Sequence, residues 1–106
     1  MNVAETVLTD EFYERLAEFC KGQAHPKRLR ILHLLMTGEK SVGDIVEETK
    51  LSQSTVSQHL SFMRRSGVVK ARRDGNVVYY SLADERIAQA CNIIKQVVLE
   101  KTGVKT

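Results

Sequence analysis

Two helical segments of unequal length, separated by a very short turn, constrain the fold of this chain more than any other feature. Ser41 is placed to cap a short helix. Residues 49–51 leave room only for a tight turn before Ser52 caps a second, longer helix. A short helix, a tight turn and a longer helix are typical of a helix-turn-helix, which we predict over about residues 41–66.

A β-hairpin is predicted directly after this unit. Residues 68–73 alternate apolar and basic side chains, and residues 77–82 are rich in β-branched and aromatic side chains. Between them lies Asp74-Gly75-Asn76, a turn signal because glycine and asparagine tolerate positive φ. A hairpin that follows a helix-turn-helix is a wing, which we place at about residues 68–82.

Further helices are predicted on both sides of this unit. Pro26 is expected to open a second helix, which Gly38 ends as its C-cap. The first and last helices, about residues 10–21 and 84–101, each carry an apolar stripe at helical spacing. The stripes consist of Phe12, Leu16, Phe19 and Cys20, and of Ile87, Cys91, Ile94 and Val98. The predicted fold is mainly α with a β-hairpin wing: four helices, two strands and a fifth helix.

The length of the chain, 106 residues, fits one domain spanning residues 1–106. No apolar run is long enough to cross a membrane. The N-terminal residues have no basic flank before an apolar run, so no secretory signal is expected and the protein is predicted to be cytoplasmic.

Charge is distributed unevenly along the chain. Residues 1–20 hold five acids and one base, whereas residues 50–73 hold six bases and no acid. The five acids are Glu5, Asp10, Glu11, Glu14 and Glu18. A basic stretch within a folded unit indicates a polyanionic partner, although a solvated surface would have the same charge.

The longer helix of the predicted helix-turn-helix has two different faces. Val56, Leu60 and Met63 fall on the side that should face the core. The other side contains no acid and is rich in hydroxyl and amide groups, which bind base edges and phosphates. Its residues are Gln53, Ser54, Ser57, Gln58, Ser61, Arg64 and Arg65. With Arg72 and Arg73 beside the hairpin turn, this pattern predicts binding to double-stranded DNA.

The run LSQSTVSQHLSFMRRSGVVKARRDGNVVYYSL, residues 51–82, closely resembles the ArsR family of bacterial winged-helix repressors. Residues 25–49, HPKRLRILHLLMTGEKSVGDIVEET, resemble the second and third helices of the same family. The resemblance implies a dimer through the first and last helices, operator binding and relief of repression by an effector. It also implies major-groove and phosphate contacts by Gln53, Ser54, Thr55, Ser57, Gln58 and His59, and wing contacts by Arg72 and Arg73.

A two-fold dimer would place two recognition helices about 34 Å apart, one turn of DNA, and so predicts an inverted-repeat operator. The apolar stripes of the terminal helices agree with such a dimer, because a small winged helix has little surface to cover them.

The sequence does not identify an effector by the family's metal-binding patterns, because those patterns are missing. Residues 41–44 contain no cysteine where many relatives carry Cys-x-Cys, and the last helix has no histidine, so no metal site is predicted. His33 stands where persulfide-sensing relatives place a cysteine. Only Cys20 and Cys91 remain as thiols. They are candidates for binding a thiophilic ion such as arsenite or for reversible oxidation, and the alternative is that both are core residues.

The sequence lacks the motifs of other functional classes. No glycine-rich phosphate loop, nucleophile elbow or HExxH motif is present, so we do not expect an enzyme. A winged helix that binds protein or RNA would not need an acid-free face rich in serine and glutamine. A regulator without any effector stays open, and an activator is less favoured because no extra surface for recruiting polymerase is evident.

Overall fold

The computed structural model describes residues 8–105. It contains five helices and a three-stranded sheet: α1 (Asp10–Lys21), α2 (Pro26–Leu35), β1 (Lys40–Ser41), α3 (Val42–Thr49), α4 (Gln53–Arg65), β2 (Val69–Asp74), β3 (Val77–Leu82) and α5 (Glu85–Thr102). The predicted mainly α fold with a hairpin wing is confirmed. Residues 1–7 and Thr106 lie outside the described residues. Glu5, one of the five N-terminal acids, is among them. Within residues 8–105 no helix is long and apolar enough to span a membrane.

The helix boundaries follow the local chemistry of the sequence. α1 and α5 begin and end within one residue of the expected positions. The prediction that Gly38 caps α2 is wrong: the helix ends at Leu35 and its C-cap is Met36, in αR conformation. Gly38 has φ 138° and instead turns the chain from the end of α2 into β1.

The short strand β1 was not predicted. It pairs antiparallel with β3, with Lys40 opposite Tyr80 and Ser41 opposite Tyr79, so the sheet order is β1-β3-β2. A two-residue strand has no periodicity that a sequence pattern can reveal. At the other edge Asp74 pairs with Val77, and of the two loop residues only Gly75 has positive φ, at 61°, as in a type II′ turn.

The hydrophobic core lies between α2, α3, α4 and the start of β2. Its buried apolar side chains come from these elements and from Val68, the residue before β2: Ile31, Leu32, Leu35, Ile45, Val56, Leu60, Met63, Val68 and Val69. The predicted inward face of α4 is therefore confirmed. Because α4 is anchored along its whole length, its opposite face is held rigidly towards solvent.

The terminal helices α1 and α5 have no buried residue within the described subunit. Each apolar stripe divides into two parts. Phe19, Ile87 and Cys91 pack against the core. The remainder faces outwards, with Ile94 63% exposed and Phe12 42% exposed. An apolar surface of this kind on two helices is typical of an interface with another protein chain.

Asp84 fixes the start of α5. Its side chain accepts hydrogen bonds from the backbone N–H and the guanidinium of Arg86 at 2.7–3.2 Å. These hydrogen bonds lower the pKa of the Asp84 carboxyl from 3.8 to about 2. A carboxyl with a lowered folded-state pKa contributes stability above its ordinary pKa and loses it as pH falls. We expect an NMR titration to give a midpoint for Asp84 of about 2, and Arg86→Ala to return it towards the ordinary value. An ordinary midpoint in the native chain would contradict the ion pair.

Candidate nucleic-acid interface

Local hydrogen bonds define the start and the end of α3, and so where the turn to α4 begins. Ser41 caps α3 as predicted, and it forms a reciprocal capping box with Asp44. Buried Thr49 donates its hydroxyl to the Ile45 carbonyl at 2.6 Å, and Lys50 takes the left-handed conformation that ends α3, with φ 61°. The angle between the two helices is therefore set by short-range contacts.

Ser52 determines where α4 begins. Its hydroxyl accepts a hydrogen bond from the Thr55 backbone N–H at 3.1 Å and donates one to the Thr55 hydroxyl at 2.9 Å. The predicted contact residue Thr55 is thus half-buried and engaged in the cap. The exposed polar residues of the first two turns are Gln53, Ser54, Ser57 and Gln58.

The second half of α4 presents a histidine and two arginines. Arg64 and Arg65 are exposed, and the Arg65 guanidinium lies 5.9 Å from the centre of the Phe62 ring. His59 is half-buried, and its pKa is lowered, first by burial and then by neighbouring His25, Arg28 and Lys27. Burial and these neighbouring charges therefore favour the neutral form of His59. Like the rest of α4, this half carries no acid.

On the wing, the two arginines have different surroundings. Arg72 makes a bidentate ion pair with Glu39, at 2.7 and 3.2 Å, and its guanidinium stacks 4.6 Å from the centre of the Tyr79 ring. The Arg72 hydrogen bond lowers the pKa of the Glu39 carboxyl. Arg73 is exposed and makes no ion pair with any of residues 8–105. Of the two, Arg73 is free to meet a phosphate, whereas Arg72 must first leave a carboxylate.

Comparison with known proteins identifies the family of this chain. Residues 25–71 match the family model described as bacterial regulatory protein, arsR family. The HTH-type transcriptional regulator Rv0081 of Mycobacterium tuberculosis is 43% identical over 91 residues, which cover 85% of this chain and 80% of that protein. The chain belongs to the ArsR family. It is a DNA-binding transcriptional regulator and, as expected, no enzyme.

Solved structures of ArsR-family and related regulators share the fold. The crystal structure of M. tuberculosis Rv0081 has a TM-score of 0.80 at 41% identity and covers 90% of this chain and 96% of that one. The homodimeric winged helix-turn-helix DNA-binding domain Mb0332 of Mycobacterium bovis has a TM-score of 0.81 at 32% identity, with 90% and 91% covered. Among further relatives is the biofilm growth-associated repressor of Xylella fastidiosa, 35% identical over 79 residues, which cover 74% of this chain and 69% of that protein.

The ion pair between Glu39 and Arg72 gives a test of the wing of this ArsR-family protein. Glu39→Gln removes the carboxylate that holds the guanidinium, so we expect DNA to bind several-fold more tightly because a phosphate no longer displaces a competing anion. The dependence of affinity on salt should keep its wild-type slope, since Arg72 still contacts the phosphate. Arg72→Ala should lower that slope by about 0.9, the value for one phosphate contact.

Glu47→Gln is the matched control, because it removes the same charge from an exposed position on neighbouring α3. Both variants are compared in fluorescence-anisotropy titrations at several salt concentrations. If Glu39→Gln and Glu47→Gln bind alike, Arg72 only holds β1 against the wing, and its assignment as a DNA contact is wrong.

The two thiols of this ArsR-family chain lie along one apolar groove of about 560 Å³ between α1, α2 and α5. Cys20 is exposed and Cys91 is half-buried. Burial raises the pKa of the Cys91 thiol, so Cys91 is a poor nucleophile at neutral pH. Among residues 8–105 no three metal-binding side chains lie close enough together to hold a metal ion.

Several contacts at this surface were not predicted. Arg28 stacks 4.5 Å from the centre of the Phe62 ring and lies 3.5 Å from His59, while Glu39 pairs with Arg72. His25 caps α2, since its side chain accepts a hydrogen bond from the Lys27 backbone N–H. The sequence does contain a signal that could have indicated the Arg28 contact. The first turn of α2 contains bases and no acid, whereas a helix N-terminus usually favours acids.

Proposed function

We propose that this ArsR-family protein is a repressor that binds an inverted-repeat operator as a homodimer. In each subunit α4 enters a major groove, and the wing lies over the adjacent backbone. The observation that carries the proposal is the acid-free, exposed face of α4, held above the buried side chains of Val56, Leu60 and Met63. Glutamine and serine side chains on a rigid helix can read base edges, since their position relative to the groove does not vary.

The exposed apolar faces of α1 and α5 support the homodimer. A two-fold interface uses the same surface of both subunits, so the apolar residues of α5 would meet their own copies across the axis. The homodimeric state of the M. bovis domain, which shares the fold, supports the same arrangement. Two α4 helices about 34 Å apart would then read two half-sites, one helical turn of DNA between their centres.

Repression follows from occupancy of the promoter. The described residues 8–105 form one winged helix, so the simplest effect of binding is to exclude polymerase from the operator. A Xylella fastidiosa relative is named as a repressor, which agrees with this direction of control. A regulator of this kind works where the chromosome is, in the cytoplasm.

The direct test is footprinting on the DNA upstream of the protein's own gene. We expect protection of two half-sites related by a dyad and separated by one helical turn. Random duplex of equal length should bind at least a thousandfold more weakly at physiological salt. Equal binding to both duplexes would contradict sequence-specific repression and leave a winged helix that binds another partner, such as protein or RNA.

We further propose that a thiol-directed effector releases the DNA. Cys20 and Cys91 border one groove next to the exposed faces of α1 and α5, so two subunits would bring four thiols to the same region. Arsenite, As(OH)₃, would exchange one hydroxyl for each thiol and release one water per As–S bond. Because one subunit has only two cysteines, a third sulfur ligand would come from the partner subunit.

This second proposal is tested by repeating the footprint with arsenite, zinc, persulfide and peroxide. Arsenite is expected to release wild-type protein but neither Cys20→Ser nor Cys91→Ser. If both variants release DNA as the wild-type protein does, the thiols are structural. A wild-type protein that holds its operator in all four solutions would indicate a regulator that acts through its abundance, without a thiol-directed effector.

A further inference from the structure

A cluster of basic and aromatic side chains joins the start of α2 to the middle of α4. The His25 and His59 ring centres are 4.9 Å apart, and Arg28 Nη1 lies 3.5 Å from His59 Nδ1. The Arg28 guanidinium also covers the Phe62 ring. Lys27, the remaining base of this turn, is exposed and makes no ion pair within residues 8–105.

The contacts of both histidines fit a neutral ring with its proton on Nε2. His25 Nδ1 accepts a hydrogen bond from the Lys27 backbone N–H at 3.1 Å. Arg28 can only donate, so His59 Nδ1 must be the acceptor in their contact. In a neutral ring the proton is then on Nε2. Each histidine therefore directs one N–H donor away from the contact that holds it.

Two features of this cluster are energetically unfavourable in the absence of a bound ligand. Cations at the start of a helix oppose the helix dipole, yet Lys27 and Arg28 occupy the first turn of α2 with no acid beside them. Within residues 8–105, Arg28 Nε is buried and has no hydrogen-bond partner, which adds a further cost. An anion bound beside the first turn of α2 would offset the first of these costs.

We propose that His25, Lys27 and Arg28 form, with His59, a second phosphate-binding surface that holds the DNA backbone beside the major groove entered by α4. This inference rests on the proposed function, because the phosphate belongs to the same duplex. His25, Lys27 and His59 contact the phosphate through N–H donors. Arg28 is a positioning residue: it is stacked on Phe62 and directs the Nε2 proton of His59 outwards. Such contacts strengthen binding to every DNA sequence alike.

Lys27→Gln is the main test, since the side chain is exposed and its loss should leave folding unchanged. We expect both operator and random DNA to bind about fivefold more weakly at ~0.15 M salt, with the salt slope lowered by about 0.9. The ratio of the two affinities should stay at its wild-type value. Lys105→Gln is the control, because it removes the same charge from the exposed segment after α5 and should change neither quantity.

Arg28→Gln tests the positioning role by a second measurement. We expect the ¹⁵N chemical shifts of His59 to report a mixture of tautomers in place of Nε2–H alone, together with weaker binding to both duplexes. The unfolding midpoint is measured in parallel. A lower midpoint with unchanged tautomer and unchanged affinity of the folded protein would make Arg28 a packing contact only.

The two proposals fail in different ways. If the wild-type chain does not prefer its operator over random DNA, the proposed function is wrong. If it does, but Lys27→Gln and His25→Gln bind as tightly as Lys105→Gln, only the phosphate-binding surface at the start of α2 is wrong.

Discussion

Ile94→Glu is expected to make the protein monomeric at micromolar concentration and to weaken operator binding at least a hundredfold. Ile94 is 63% exposed on α5, and a two-fold interface would bury it twice. Losing the burial of two isoleucines removes about 3–6 kcal/mol, and two carboxylates brought into an apolar interface add a further penalty. A monomer reads one half-site and loses the gain from binding two half-sites at once.

Sedimentation velocity and gel-shift titration measure the two effects. Asn92→Glu introduces the same charge on the opposite side of α5, at another exposed position, and should leave the dimer intact. A dimeric Ile94→Glu protein would show that α5 is not the interface. A monomeric variant that still binds the operator tightly would show that one subunit suffices for recognition.

Leu60→Ala is expected to lower the free energy of unfolding by about 3 kcal/mol. Leu60 is fully buried on the inner face of α4, and truncation of a buried leucine leaves a cavity that the surrounding side chains fill only in part. For a domain of this size that loss corresponds to a fall in Tm on the order of 15 °C. Thermal and urea unfolding should be recorded at one fixed protein concentration, since dimerisation adds to the apparent stability.

Ser61→Ala is the neighbouring control. Ser61 is exposed on the outer face of the same helix. The free energy of unfolding of the Ser61→Ala protein should therefore stay within about 0.5 kcal/mol of wild type. A Leu60→Ala protein as stable as Ser61→Ala would mean that α4 is not anchored by this core. The outer face would then not be rigid enough to distinguish DNA sequences.

We expect the surface that binds DNA to extend beyond α4 in two directions, and each extension involves an arginine with a partner. At the wing, Arg72 is held by Glu39 and Tyr79. At the start of α2, Arg28 is held by His59 and Phe62. Stacking of Arg28 on Phe62 and of Arg72 on Tyr79 orients each guanidinium before DNA arrives and so reduces the entropy lost on binding. The Glu39 carboxylate, by contrast, competes with DNA for Arg72. Both arginines are therefore expected to affect the affinity for DNA in general more than the preference for one DNA sequence over another.

Much of the fold could be predicted because its signals are local. The capping box at Ser41, the caps at Ser52 and Asp84 and the glycine turn at Gly75 act within three or four residues. The apolar spacing of α4 likewise identified its buried face. β1 was missed because two residues carry no pattern, and Gly38 was misassigned because its positive φ serves the next turn.

The sequence by itself determined the five helices, the two strands of the wing, which face of α4 is buried and that the opposite face carries no acid. Those properties depend on neighbours a few positions away. Only the tertiary structure decided that Arg72 is paired with Glu39, that Arg28 meets His59 across 31 positions of sequence, and that each terminal stripe divides between core and exposed surface. Such contacts arise from how helices pack in space, and residue spacing along one helix carries no information about the side chains on another.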